Sequence, residues 1–562
     1  MKFNEFKYER IPYEEIKTKI DKQLDDLRNA KDKETFKKAF DDFNAYRDEL
    51  STLMTLVSIR SSINTKDEFY QKEKEYWNET YSNIALSYNE FYKIMLDREA
   101  EFDLGISHVF YDLARNALKA YDERIVEESI KESNLSIEFS KLVGSAKIEL
   151  DGEIHNLSTL STKLNSLDRD TRKRAFEALI NFFETNEAEY DRIYDEMVKL
   201  RDAMAKKLGY KDYCELGYIN MSRLDYDKEM VANFRKQIVE EVVPLVSKLN
   251  KAKRERLGLS DYKEYDKAIM FKTGNPKPKG NEQELVAIAA KMYKEMSKET
   301  DEFFTTMLKH DLFDLSAREG KMTGGYCTEL PSYKLPFIFA NFTGLKHDVD
   351  VLTHEAGHAF QSYSTIKNTN IPEFYFPTYE SCEIHSMTME FLAYPWIKEF
   401  FKEDSEKYFY SHLSSAIEFL PYGCLIDHFQ HEVYENPEMT PRERKACFRR
   451  LQKIYTPDTD YSDYPFLERG GFFFRQNHIF QSPFYYIDYC LAQICALQFY
   501  NRILAGENVW DDYYNLCKVG GSMSFLELVK LGNLKSPFEE GCIKETLTNI
   551  VAQLDTYDVS KL

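Results

Sequence analysis

A mainly α-helical fold with two or more lobes is predicted by three features of this 562-residue sequence. Apolar residues recur at three- and four-residue steps along most of the chain, no glycine precedes Gly105, and β-like patterning is confined to two short regions. The length exceeds that of an average single domain, so two or three packed units, or one large helical body with lobes, are expected.

In chain order, residues 1 to about 135 read as long amphipathic helices, in which Ile16, Ile20, Leu24 and Leu27 form one stripe among dense Lys, Asp and Glu. Each such helix has one stripe to bury, which predicts a bundle or stacked layer. A break follows at Lys147–Leu150, Asp151-Gly152 and Glu153–His155, two alternating segments around a two-residue turn, and this is a β-hairpin. Helical periodicity resumes near Asp168 and runs to about Leu249. Residues 273–281, rich in Pro, Gly and Lys, form a loop. After a further helix, Gly324-Gly325-Tyr326 and Leu335–Phe342 give a small sheet that ends at Gly344. No internal repeat or low-complexity tract is present.

Composition excludes several classes. No segment approaches the eighteen or so apolar residues of a membrane span, and the first ten residues carry acids where a signal peptide would be apolar, so a cytoplasmic protein is expected. The nine cysteines are scattered without a C-x-x-C pair, which fits free thiols in a reducing compartment. A net charge of -20 opposes binding to a phosphate backbone, so no nucleic-acid partner is expected.

The chemistry concentrates after the second β-like region. Asp348 is placed to cap a helix that carries His354-Glu355-Ala356-Gly357-His358. Residues four apart on a helix share a face, so both imidazoles can bind one metal with Glu355 beside it; H-E-x-x-H is the zinc-peptidase signature. Catalytic zinc takes a third protein ligand, and Glu380, Glu383, His385 and Glu390 on the next helix compete for that role. Spacing leaves the choice open.

His354–His358, followed after twenty-five residues by Glu383 in a Tyr-Glu-Ser-Cys-Glu-Ile-His-Ser-Met helix, resembles the thimet-oligopeptidase superfamily of zinc metallopeptidases, in particular its oligoendopeptidase F branch. Gly324-Gly325-Tyr326, Ala340-Asn341-Phe342, Asp427–His431, His478-Ile479-Phe480 with Pro483–Tyr486, and Gly520-Gly521-Ser522 extend the likeness over roughly residues 200 to 560. The resemblance implies a large two-lobed helical fold with a small sheet beside the metal helix and a deep substrate channel. It further implies one zinc per chain on His354, His358 and Glu383, with Glu355 as general base. On this basis residues 1–190 form an N-terminal helical lobe with the hairpin, and 191–562 the catalytic region. Thermolysin-like enzymes place an Asp four residues beyond the glutamate ligand; here that residue is Met387, so Glu380, Ser386 and Glu390 compete as partners of the ligands.

Peptide hydrolysis also needs hydrogen-bond donors for the oxyanion. The family places a histidine and two tyrosines three residues apart on a glycine-bearing loop that contacts substrate; His478, Tyr486 and Tyr489 match with a one-residue offset, and Tyr485 lies among them. His428 and His431, three residues apart with no cysteine nearby, are weak evidence for a second metal; the family pattern implies a role beside the active site, orienting a ligand or the substrate, with His431 against the substrate, and core packing is an equal alternative. The edge of the 337–342 strand, with Ala340 and Asn341, is expected to hold an extended peptide through its backbone. The expected activity is endopeptidase cleavage of short unstructured peptides, with oligomeric state open. The rivals are a dipeptidyl carboxypeptidase or zinc carboxypeptidase, for which Arg475 would grip the terminal carboxylate, and a catalytically silent helical peptide-binding protein.

Overall fold

A computed structural model describes residues 1–562. Four helices open the chain: α1 (Tyr13–Asn29), α2 (Lys33–Ile63), α3 (Glu68–Asp97) and α4 (His108–Ala120). The stripe Ile16, Ile20, Leu24 and Leu27 is buried, as its spacing requires. Asp32 and Asp67 accept backbone N–H bonds at the starts of α2 and α3. After α5 (Val126–Gly144) come β1 (Ile148–Leu150) and β2 (Glu153–His155), paired antiparallel around Asp151 (φ 53°) and Gly152 (φ 82°). Both turn residues have positive φ, the backbone twist that matches a two-residue hairpin.

Next follow α6 (Leu157–Leu164), α7 (Arg169–Thr185), α8 (Glu187–Leu208), α9 (Tyr213–Asn220), α10 (Lys228–Gln237), α11 (Val243–Leu257), α12 (Glu282–Met296) and α13 (Lys298–His310). Asp168 caps α7 by accepting from the Thr171 N–H. The strands β3 (Phe313–Ser316), β4 (Tyr326–Leu330) and β5 (Leu335–Phe342) precede α14 (Lys346–Ile366) and α15 (Tyr379–Leu392). The chain closes with α16 (Ile397–Phe401), α17 (Ser405–Glu435), α18 (Pro441–Tyr455), α19 (Pro465–Glu468), α20 (Asn477–Gln481), α21 (Tyr486–Leu504), α22 (Trp510–Val519), α23 (Phe525–Leu531) and α24 (Cys542–Leu554). No helix is long and apolar enough to cross a membrane. All nine cysteines are free thiols.

Two compact units are each assembled from three chain segments, so they do not follow a contiguous cut at residue 190. The first unit takes residues 1–119, 276–405 and 498–535. Its sheet has the order β3-β5-β4, with β5 parallel to β3 and antiparallel to β4. Phe337, Ile338, Phe339 and Ala340 are fully buried, which explains the unbroken apolar run of a strand covered on both faces. Asp348 is not the cap of α14. It is the third helical residue, and its carboxylate reaches back to accept the N–H groups of Thr343 and Gly344, fixing the turn from strand to helix.

The second unit takes residues 120–275, 406–497 and 536–562. In it the hairpin, α6 and α7 share a small core of Ile148, Leu150, Leu160 and Ala175. Arg201 is buried and bridges Glu132, the Tyr434 hydroxyl and the Phe480 carbonyl, tying α5, α8, α17 and α20 together.

Candidate metal centre

His354 and His358 project from one face of α14 with ring centroids 5.0 Å apart. From α15, Oε2 of Glu383 lies 3.2 Å from Nε2 of His354 and 3.5 Å from Nε2 of His358. The three ligand atoms all lie within 4.8 Å of one another. Tetrahedral bonds of about 2.1 Å separate ligand atoms by about 3.4 Å, so this donor set fits a zinc ion in both chemistry and span. Of the four residues that compete for the third position, Glu383 is the one whose carboxylate lies within reach of both imidazoles. His385 is buried and donates from Nδ1 to the Ser381 carbonyl at 2.7 Å, turned into the helix. Glu380 accepts from the Thr378 hydroxyl at 2.9 Å.

A glycine sets the distance between the two helices. A Cβ at Gly357 would sit 2.7 Å from Cα of Ser386 and 2.8 Å from the His385 carbonyl oxygen, so only glycine lets α14 and α15 approach this closely. The same carbonyl accepts the Tyr513 hydroxyl of α22 at 3.0 Å, and Thr365 of α14 donates to the Cys517 carbonyl at 2.6 Å. Gly357 carried no signal in the sequence beyond its place inside the motif.

The ligands are themselves held. Glu390, one of three candidates for this task, lies with Oε1 2.7 Å from Nδ1 of His354. With Nδ1–H donated to that carboxylate, the Nε2 lone pair of His354 is directed at the cluster. Ser386, another candidate, donates its hydroxyl to Oε2 of Glu383 at 3.0 Å. Burial alone would push the Glu383 carboxyl up, but His358 and His354 outweigh it and hold it well below the usual range. Burial likewise opposes a proton on His354, and the hydrogen bonds that its ring donates to Glu383 and Glu390 reverse the effect.

Glu355 is 8% exposed, and burial raises its carboxyl above the ordinary value against the pull of His358 and His354. Its neighbour across the site is the start of β4. A Cβ on Gly325 would lie 3.6 Å from Oε1 of Glu355, which places the Gly324-Gly325 turn directly beside the carboxylate.

The expectation that the 337–342 edge receives a peptide is corrected by the sheet. β5 is the central strand, paired on both sides, and the edges of the sheet are β3 and β4. Ala340 is buried with its carbonyl bonded to the Lys321 ammonium, and the Asn341 amide donates to the carbonyls of Met322 (2.9 Å) and Gly324 (2.7 Å). Asn341 thus shapes the Gly324-Gly325 turn instead of offering a free edge.

In the second unit, His478, Tyr485, Tyr486 and Tyr489 come together. The His478 ring lies 5.8, 5.0 and 6.1 Å from those of Tyr485, Tyr486 and Tyr489. The Tyr422 hydroxyl donates to Oε1 of Gln476 (3.0 Å), which turns the amide nitrogen of Gln476 toward Nδ1 of His478 at 2.7 Å. With Nδ1 accepting, the His478 proton resides on Nε2, and the ring presents a donor.

The loop into this cluster is strained. Phe484 is fully buried at φ 67°, a region side-chain-bearing residues rarely adopt. Its N–H is taken by Gln430 Oε1 (3.2 Å) and its carbonyl by Arg223 (2.6 Å), and Arg223 also pairs with Asp488 at 3.1 Å. The assignment of His431 to substrate is likewise corrected. It is 4% exposed, with Nε2 2.9 Å from the Tyr218 hydroxyl and Nδ1 3.0 Å from Arg235, and its ring packs on Phe484. His428 meets the Tyr455 hydroxyl (3.0 Å) and Glu432 (3.4 Å), so the two histidines do not converge on a second metal.

Comparison with known proteins identifies two matching family models: the peptidase M3 N-terminal domain over residues 3–121 and peptidase family M3 over residues 163–547. Among solved structures, PZ peptidase A with an inhibitor is 46% identical at a TM-score of 0.94, each chain being covered completely. The oligopeptidase PepF of Bacillus subtilis is 22% identical over 537 residues, covering 88% of this chain and 77% of that protein. An oligoendopeptidase F homolog of Borreliella burgdorferi is 23% identical over 382 residues, and the match spans 65% of this chain and 62% of that relative's length.

Proposed function

The chain belongs to peptidase family M3, and from that premise we propose that it is a zinc-dependent endopeptidase of short, unstructured oligopeptides, with one zinc per chain held by His354, His358 and Glu383. The observation that carries this reading is the convergence of Glu383 Oε2 on the two Nε2 atoms, at 3.2 and 3.5 Å, with Glu355 in the same helical turn. Zinc bound there supplies a Lewis acid for the scissile carbonyl and lowers the pKa of a water. Glu355 takes the proton of the attacking water and delivers it to the leaving amine, a task served by a carboxyl whose burial raises its basicity.

Hydrogen bonds to the oxyanion are assigned to His478, Tyr486 and Tyr489, supported by their clustering and by the donor tautomer that Gln476 imposes on His478. Of the two edge strands, β4 (Tyr326–Leu330), whose start lies beside Glu355, is assigned the backbone of an extended peptide. Backbone pairing of this kind selects for unfolded segments and reads little side-chain sequence. Nine free thiols support a reducing, cytoplasmic setting.

The test is mass spectrometry of a peptide mixture incubated with the wild type, the wild type with a chelator, and Glu355→Gln. Internal cuts are expected from the wild type alone, with kcat of the variant lower by about 10²–10⁴-fold. Cleavage indifferent to both chelator and substitution would sink the proposal.

A further inference from the structure

Arg475 ends the turn after the Gly470-Gly471 pair and lines a cavity of about 200 Å³ in the second unit, together with Glu264, Lys267, Glu418, Tyr422 and Tyr461. Three carboxylates, Glu264, Glu418 and Asp458, line it with Lys267 and Arg475, and Asp458 is met by the Asn250 amide at 3.4 Å. Glu264 is satisfied by Lys267 at 2.7 Å and by the Tyr461 hydroxyl at 3.2 Å, and Glu418 is met by Lys253 at 3.2 Å. Arg475 makes no contact ion pair, although Glu264 acts on it through charge at longer range. Its guanidinium is nevertheless positioned, stacked 4.7 Å above the Phe472 ring.

The neighbouring groups tie this cavity to the aromatic cluster. Tyr422 lines it and, through Gln476, reaches Nδ1 of His478; the Tyr422 and Tyr486 rings lie 5.9 Å apart. A fixed, unpaired guanidinium next to such a cluster has the planar donor fork that suits a carboxylate.

We propose that Arg475 recognises a carboxylate of the bound peptide, either its C-terminal group or an acidic side chain. The inference rests on the reading that the chain binds peptides through the His478 cluster. It makes substrate choice depend on a negative charge at one place in the peptide, without requiring that cleavage be terminal.

Four matched peptides separate the sources: one with a free C-terminus and no acidic residue, its C-terminal amide, an amide with one Glu, and a neutral amide with Gln in that place. Binding is measured by calorimetry on Glu355→Gln protein with and without Arg475→Gln or Arg475→Lys, and KM and kcat on the otherwise unaltered enzyme. Arg475→Gln is expected to weaken at least one carboxylate-bearing peptide about tenfold while the neutral amides stay within about twofold, and Arg475→Lys to recover part of the loss. The member that weakens identifies the source of the carboxylate. Equal weakening of all four, no weakening of any, or no binding at all overturns the proposal. Peptides that bind with the Arg475 signature but are never cut would instead sink the hydrolase reading alone.

Discussion

Nδ1 of His354 and Oε1 of Glu390 lie 2.7 Å apart, so a carboxylate seven residues beyond Glu383, on the same face of α15, orients a ligand on α14. Glu390→Gln keeps the shape but lets the amide present either nitrogen or oxygen to the ring. Metal affinity is expected to fall about 10–100-fold, read by competition with a chromogenic chelator. Affinity equal to wild type would show that the pair does not tune the site.

Gly357→Ala adds one methyl where 2.7 Å separates it from Cα of Ser386 and 2.8 Å from a carbonyl oxygen. Backbone cannot rotate away as a side chain can, so α14 and α15 must separate. A loss of about 1–3 kcal/mol in chelator-treated protein is expected, together with weaker metal binding. Urea unfolding and metal titration check both, and a fully stable, fully loaded variant would contradict the tight approach.

Buried Asp427 pairs with Arg235 and lies 3.3 Å from His431. Burial would raise its carboxyl, but His431, Arg235 and Arg223 overcome this and hold it well below its ordinary value. Its folded pKa being depressed, its contribution is fully present above the unfolded value of about 3.9 and disappears as pH falls toward the folded one. Asp427→Asn should cost about 3–5 kcal/mol at neutral pH, since Arg235 loses its counter-charge. The gap between urea midpoints of wild type and variant should hold steady from pH 8 to 5 and shrink below about pH 4. A gap that widens on acidification refutes this assignment.

Gly217→Ala drives a methyl to 2.6 Å from Cδ2 of Phe484, the residue held at φ 67°. Phe484 must shift, and with it the entry to the Tyr485–Tyr489 cluster. A stability loss of about 1–3 kcal/mol is expected, and peptide turnover should fall further than the unfolded fraction explains. Turnover that simply tracks the folded population would assign Gly217 to packing alone.

The sequence was most informative where chemistry is local. His354, Glu355 and His358 share one helical turn, so their spacing carried their geometry, and the hairpin at residues 148–155 was written in its two turn residues. Long-range proximity was less legible. Choosing Glu383 over its neighbours depends on how α15 lies against α14, and that depends on Gly357, whose value appears only when the opposing backbone is present. The edge of the sheet was misplaced for the same reason: β3, with two polar residues in Phe313–Ser316, has too little apolar alternation to be noticed, yet its pairing makes β5 central. His431 matched a family pattern by position, whereas its burial against Tyr218 and Phe484 is a property of packing. Asp348 looked like a cap because acids favour a helical first turn, which holds at the third position as well as at the first.

The interleaving of the first unit has a consequence for biosynthesis. Both histidines and Glu383 lie within residues 354–383, but the helix that receives α14 and hydrogen-bonds the His385 carbonyl spans residues 510–519. A nascent chain that has emerged only as far as α15 holds the two histidines and Glu383 without the helix that packs behind them. On the proposed reading, the site would gain its full support only once residues 510–519 have packed on α14, and a product truncated before residue 510 would keep the three side chains without that support.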